Sequence, residues 1–179
     1  MKKILWSVLG LGAVMVGAQV ACMAAPTDSQ TFTVNVPKRV SIAAPLVAPL
    51  PETLPLDQDT NVVFPNQLWS VKGNVKNGVA VTFKTTTVFT NGTYKRDVTL
   101  NLSAAVSPVG PGTWTVGAAT DTTNYAATVS DEEAIVSASS NKVGSAGFNL
   151  GVEFVTSDFD QVAEGDYVTI VTGTVTENL

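Results

Sequence analysis

The chain has 179 residues, of which 45% are hydrophobic and 14% are charged, and its formal net charge is −5. It contains no histidine and a single cysteine, Cys22. This composition excludes Ser-His and Cys-His nucleophile pairs, haem ligand pairs and zinc sites built from histidine and cysteine. An acidic chain without a basic stripe also argues against nucleic acid and anionic membrane surfaces as partners.

Residues 1–24 have the three-part layout of a secretory signal peptide. Lys2 and Lys3 supply the positive start, and an apolar run follows from Leu5 to Val20. The run is short for a membrane anchor, which needs about 20 apolar residues. An uncleaved anchor and lipidation of Cys22 are the alternatives. We therefore expect an exported protein, extracellular or at the cell surface, that meets a membrane only during export.

Cleavage at the end of the signal leaves residues 25–179, which is 179 minus 24, or 155 residues. Removal of Lys2 and Lys3 leaves 8 of the 10 basic residues against 15 acidic ones, so the net charge becomes −7. No cysteine remains, and stability has to come from a packed core rather than from disulfides. A chain of this length buries about 70% of its unfolded surface. We predict a single domain over residues 25–179.

Alternation of apolar and polar residues with period two begins at residue 31 and predicts strands. The first alternating segment, Thr31–Val36, has Phe32, Val34 and Val36 on one face. Val40 and Ile42 continue the extended chain. Four prolines between residues 44 and 59 then predict a loop or an extended edge segment.

Further strands are predicted at residues 62–64 and 67–74, the second with Leu68, Trp69 and Val71 as core candidates. Two Asn-Gly dipeptides, at residues 77–78 and 91–92, lie between alternating runs and predict antiparallel hairpins.

Strands are expected after both of these turns, at residues 79–83 and 98–102, and again at residues 113–116, where Trp114 is a core candidate. Residues 134–138 favour a strand over a short helix that the acidic residues 131–133 would begin.

The clearest alternation covers residues 148–154, and the last predicted strand covers residues 167–176. Several short strands at regular spacing predict an all-β fold, an Ig-like antiparallel β-sandwich with Greek-key connections. The tripeptide at residues 165–167 fits either a tyrosine corner or an ordinary turn followed by an aromatic residue.

The two ends of the chain resemble a known group of proteins. Ala163–Thr176 is similar to the closing strand of exported bacterial fimbrial-type subunits, namely the spore-coat-protein-U-like and archaic chaperone–usher pilins. Thr31–Pro37 looks like their opening strand. Many such pilins carry a cysteine pair that this chain lacks, and its proline-rich segment does not align with them. The resemblance implies an incomplete or strand-exchanging sandwich that polymerises.

Carboxylates are the only acid–base groups available for chemistry. Asp158 and Asp160 lie two residues apart, near Glu164 and Asp166. Several oxygens in one loop suit calcium, but the glycine-centred loop and closing glutamate of an EF-hand are missing. A solvated acidic turn is the favoured interpretation, with Asp158, Asp160 and Asp166 as candidate calcium ligands. We expect no catalytic residue, no cofactor and no enzyme activity, with bound calcium as the alternative at this turn.

The leading hypothesis for function is a structural subunit of a surface or extracellular filament or matrix. It self-associates by β-strand addition, with Phe32, Val34 and Val36 filling the groove of the next copy. A homo-oligomer or filament and a periplasmic chaperone are the expected partners.

The alternative hypothesis is a monomeric adhesin or carbohydrate-binding module, with or without calcium. Such a module would use exposed aromatic residues to stack on sugars, and Trp69, Trp114 and Tyr125 are the candidates. Core roles are favoured for these three residues, because a sandwich of this size needs large side chains between its sheets.

Overall fold

The computed structural model describes residues 28–179, so the predicted signal peptide lies outside the described residues. Residues 36–179 form one compact unit, and residues 28–35 belong to a separate one. The described part contains thirteen strands, all paired antiparallel, and one 3₁₀ turn at Phe159–Gln161. The strands are, in chain order, β1 (Val40–Ala43), β2 (Val62–Val63), β3 (Gln67–Gly73), β4 (Val79–Thr85), β5 (Phe89–Asn91), β6 (Tyr94–Arg96), β7 (Val98–Leu102), β8 (Val106–Val109), β9 (Trp114–Ala118), β10 (Thr120–Thr122), β11 (Ile135–Ser140), β12 (Gly144–Phe154) and β13 (Val171–Glu177).

The strands form two main sheets and one small ribbon. The larger sheet has the order β1-β3-β12-β7-β10, and β2 and β8 also pair with β12. The smaller sheet has the order β13-β4-β11-β9, and β5 pairs with β6. The all-β prediction is confirmed.

Strand β12 lies at the centre of the larger sheet. Side chains alternate between the two faces of the strand, and Phe148, Leu150 and Phe154 point into the core, where each is buried. Phe148 lies opposite Trp69 of β3, and Val152 lies opposite Leu100 of β7. Because β12 has neighbours on both sides, its backbone hydrogen bonds are made within the sheet and its apolar face is covered by the other sheet.

The smaller sheet supplies the opposite wall of the core. Val79, Val81 and Phe83 of β4 are fully buried, as is Val136 of β11. Two edge-to-face aromatic pairs join the sheets: the ring centroids are 5.3 Å apart for Trp69 and Phe83 and 5.4 Å apart for Trp114 and Phe148. The two sheets therefore pack face to face as a β-sandwich.

The two Asn-Gly turns have different outcomes. The turn at residues 91–92 joins β5 and β6, so the predicted hairpin is confirmed. The turn at residues 77–78 joins β3 to β4, which lie in different sheets, so the hairpin predicted there is wrong. Gly78 has φ +80°, and a Cβ at this position would lie 2.1 Å from the carbonyl oxygen of Ser140. The Asn-Gly pair therefore permits a tight bend, but packing decides which strands it connects.

The structure corrects one further prediction and decides between the two alternatives at residues 165–167. Leu68, predicted to be a core residue, is exposed on the outer face of β3, while Val71 is buried and Trp69 is half-buried. Neighbouring residues of a strand cannot share a face, so Leu68 and Trp69 cannot both point inward. The tyrosine corner is not formed: the Tyr167 hydroxyl has no hydrogen-bond partner among residues 28–179, and its ring packs against Phe154.

Candidate assembly surface

The smaller sheet has two edges in the described part of the chain, formed by β13 and β9, and the β13 edge is the longer. β13 pairs with β4 from Val171 opposite Thr85 to Glu177 opposite Val79, and no strand among residues 28–179 is hydrogen-bonded to its other side. β1 of the larger sheet packs close to β13 without pairing with it. Hydrogen bonds from the Thr86 N–H to the Ile170 carbonyl and from the Asn178 N–H to the Gly78 carbonyl show that the even-numbered positions face β4. Because backbone direction alternates along a strand, the odd-numbered positions present their N–H and C=O groups to the unpaired side. These positions are Val171, Gly173, Val175 and Glu177.

The unpaired side continues upstream of β13. The backbone groups of Val168 bond to those of Thr90 at 3.0 and 3.1 Å and form an isolated antiparallel bridge. We call Val168–Glu177 the free edge, and its ten residues span about 33 Å at 3.3 Å per residue. Edge strands are usually protected by lysine, proline or inward-pointing charges. Glu177 is the only charged residue of the free edge, which contains no proline.

An apolar groove opens beside the first half of β13. It has a volume of about 370 Å³. The walls that belong to the sandwich are lined by Phe64, Trp69, Phe89, Leu150, Val152 and Val171. The groove does not extend along the inward face of the second half of β13, because a Cβ at Gly173 would lie 2.7 Å from Cδ1 of Ile42 and 2.9 Å from Cζ3 of Trp69. Glycine at this position allows the close approach of β1 and β3 side chains to β13.

The chain just before β1 is fixed at the C-terminal end of β13. The Asn74 side chain donates to the Pro37 carbonyl at 2.8 Å and accepts from the Arg39 N–H at 2.6 Å. The Asn74 N–H donates to the Arg39 carbonyl at 3.0 Å. Lys38 forms an exposed ion pair with Glu177 at 2.8 Å. Sequence reasoning missed Asn74, whose only signal was its position directly after β3.

The residues predicted to form the assembly strand are exposed. The side chains of Phe32, Val34 and Val36 are 85%, 84% and 72% exposed. Residues 28–39 contain no strand, and no partner strand for Thr31–Val36 lies among the described residues. An extended segment without a neighbour has no ladder of hydrogen bonds, which explains why its alternation is not accompanied by burial. Thr31–Val36 is called the N-terminal segment below.

Of the three candidate calcium ligands, Asp158 has protein partners for its carboxylate, and Asp160 is exposed. The Asp158 carboxylate accepts from the Asp160 N–H at 3.1 Å and from the Gln161 side chain at 2.7 Å, and thereby caps the 3₁₀ turn. Asp166 is exposed in the loop before β13. Within residues 28–179 no three histidine, cysteine, aspartate or glutamate side chains gather closely enough to hold a metal ion.

The aromatic residues considered for sugar stacking do not form an exposed platform. Trp69 and Trp114 are half-buried against Phe83 and Phe148, as the core interpretation predicts. Tyr125 is also half-buried, and its hydroxyl accepts a hydrogen bond from Arg96 at 3.0 Å.

Comparison of the chain with protein-family models, with curated proteins and with solved structures found no match. The part of the chain that the structure describes has no helix long and apolar enough to cross a membrane. The features of the molecule that bear on its function are the free edge, the apolar groove and the exposed N-terminal segment.

Proposed function

We propose that the protein is a non-enzymatic structural subunit of a cell-surface or extracellular filament that self-associates by β-strand addition. The observation that supports this function is the presence, in one chain, of a ten-residue free edge and an exposed segment with an alternating apolar face. The N-terminal segment of one copy supplies the strand, and the free edge of the next copy supplies unpaired backbone groups.

The energetic terms favour pairing only when backbone and side chains act together. Burying three large apolar side chains contributes about 1.5–3 kcal/mol each. Ordering six residues of backbone costs about 1–2 kcal/mol each. These two terms are of the same size, so the backbone hydrogen bonds to Val171, Gly173 and Val175 determine whether the added strand is stable. Both a long free edge and an apolar face are therefore required.

Donor and acceptor are different surfaces of the same chain, so the contact is heterologous. Heterologous contacts that do not close into a ring add subunits without limit and produce filaments. This symmetry argument supports a filament rather than a closed dimer.

The chain path is consistent with an Ig-like sandwich that lacks one strand, and this finer description is part of the proposal. An Ig-like domain has strands A, B, E and D in one sheet and C, F and G in the other. The order β1-β3-β12-β7 corresponds to A-B-E-D, and the neighbours β4 and β13 correspond to C and F. The free edge of β13 is then the position of strand G, which the added segment would occupy.

A charge on the donor face tests the N-terminal segment. Val34→Asp places a carboxylate among side chains that would be buried, and we expect monomers where the unmodified chain forms polymer. Asn35→Asp adds the same charge on the opposite face and should leave polymer intact. Sizing with light scattering and negative-stain microscopy measure the outcome. Polymer formed by a chain lacking residues 25–36 would show that the donor lies elsewhere.

A proline on the free edge tests the acceptor. Val175→Pro removes an N–H that faces the unpaired side and leaves the bonds of β13 to β4 in place. Val175→Ala is the matched control for the lost side chain. We expect monomers from the proline variant and polymer from the alanine variant. If the unmodified chain is a monomer, the alternative function, an adhesin or carbohydrate-binding module, is favoured instead.

A further inference from the structure

A proline-bearing stretch, Ala44–Pro49, lies over the apolar groove. We call these six residues the proline segment. They follow directly on β1, and five of them line the groove opposite the residues of the sandwich. Those five are Ala44, Pro45, Val47, Ala48 and Pro49.

The proline segment is held weakly. From residue 44 to residue 49 the backbone and side chains make no hydrogen bond to any described residue. Pro45 and Pro49 have no N–H to give to a strand ladder. Leu46 is fully exposed, and Val47 is 76% exposed. Few contacts and no backbone hydrogen bonds are the properties of segments that open at little cost in free energy.

The proline segment leaves one polar group of the groove lining, the indole N–H of Trp69, without a hydrogen-bond partner in the described part of the chain. Phe89 and Leu150 lie at the bottom and are buried, while Phe64 and Trp69 are half-buried. The indole N–H of Trp69 is buried and has no acceptor among residues 28–179. An unpaired buried donor costs about 1–3 kcal/mol. The backbone of an incoming strand carries carbonyl acceptors at every residue.

We propose that the proline segment is a displaceable cover of the apolar groove, and that the N-terminal segment of a second copy displaces it when the copies assemble. This inference rests on the proposed strand addition and adds its regulation. A cover protects an apolar groove next to a free edge from unselective pairing. It also lowers the apparent affinity of the groove for the donor segment, because only molecules in which the cover is open bind that segment. β1 remains in place, with Ile42 against Gly173, so the movement begins after Ala43.

The test measures binding of a synthetic peptide with the sequence of residues 28–37 to the purified exported chain carrying Val34→Asp. That substitution prevents the chain from donating its own segment. The cover variant replaces residues 44–49 with glycine and serine at the same length. The matched control replaces residues 50–55, which also number six and also contain two prolines. None of these control residues lines the groove.

We expect the cover variant to bind the peptide about tenfold more tightly and faster, which corresponds to a cover that is closed in about 90% of molecules. The control should bind like the parent. Equal binding by all three chains overturns the cover but leaves strand addition standing. Weaker binding by the cover variant overturns it as well, because the segment would then be part of the binding surface. No binding by any of the chains overturns the proposed function itself.

Circular dichroism and thermal unfolding establish whether the cover variant folds. If it does not, Val47→Ser and Leu50→Ser form a second pair, because Val47 lines the groove and Leu50, equally exposed, does not. The same expectations apply to this pair: tighter binding for Val47→Ser supports the cover, and equal binding contradicts it.

Discussion

Two segments of this chain carry the same alternating pattern and have opposite environments. In β12, Phe148 and Leu150 are buried at the centre of the sandwich. In the N-terminal segment, Phe32 and Val34 are almost fully exposed. The difference is in their neighbours: β12 is paired on both sides, whereas the N-terminal segment has no strand beside it in the described part of the chain. Alternation of apolar and polar residues therefore predicts a strand with one apolar face. Whether that face is buried depends on the presence of a neighbouring strand.

The largest expected effect comes from removing a phenylalanine in each segment. Phe148→Ala should lower the free energy of unfolding by about 3–5 kcal/mol, because a cavity remains between the sheets. Phe32→Ala should change it by less than about 0.5 kcal/mol, as exposed substitutions do. Urea unfolding of the non-assembling Val34→Asp background measures both. A large loss of stability for Phe32→Ala would show that the N-terminal segment is buried in its own subunit.

A second pair of substitutions compares a buried threonine with an exposed threonine in the smaller sheet. Thr85 is fully buried, and its hydroxyl accepts a hydrogen bond from the Ala134 N–H at 2.9 Å. Thr85→Val leaves this N–H unpaired and should cost about 1–3 kcal/mol. Thr174→Val, on the exposed face of β13, should change the stability by less than about 0.5 kcal/mol. Thermal or urea unfolding distinguishes the pair, and equal effects would contradict the placement of Thr85 in the core.

The attachment of the chain just before β1 is tested at Asn74. Asn74→Ala removes both side-chain hydrogen bonds to Pro37 and Arg39 and should cost about 1 kcal/mol, because these groups are solvent-exposed. Hydrogen exchange at the Arg39 amide should become faster, while exchange in β12 stays unchanged. Unchanged exchange at Arg39 would mean that the Lys38–Glu177 ion pair holds the junction without Asn74.

The smallest effect is expected from a partly exposed ion pair that lies outside both segments. Lys95 lies 2.5 Å from a carboxylate oxygen of Glu132, and this contact holds the pKa of Glu132 below its usual value. A lowered pKa in the folded state stabilises the protein above the ordinary carboxyl pKa, and that contribution is lost as the pH falls through the lowered value. In Glu132→Gln this carboxylate is absent, so the melting temperature should decrease slightly less steeply as the pH falls below 5. An identical acid profile would show that the ion pair contributes nothing.

Local patterns identified many of the elements. The alternation at residues 98–102 and 148–154 corresponds to β7 and to the second half of β12, and residues 134–138 overlap β11, as the strand interpretation predicted. These predictions were accurate because side-chain period and strand geometry are both local properties. Leu68 was misplaced by the same reasoning, since three apolar residues within four positions give no unique inward face.

The partners of these strands were not predictable in the same way. The turn at residues 77–78 was recognised, but it passes between the sheets instead of closing a hairpin. The free edge of β13 was not visible either, because Thr172–Thr176 looks like any half-buried strand in the sequence. Only the register with β4 shows which backbone groups are unpaired. The groove is lined by residues more than one hundred positions apart, such as Phe64 and Val171, which only the fold brings to one place.

The sequence by itself determined that the chain is built from strands with one apolar face, and its lack of histidine limited the chemistry available to it. These are consequences of side-chain type and of period, which each segment carries without reference to the rest. The tertiary structure alone decided which strands became neighbours, which strands lie at the sheet edges and what lies over the groove. Pairing and burial are cooperative properties of residues distant in the chain, so no single segment contains them.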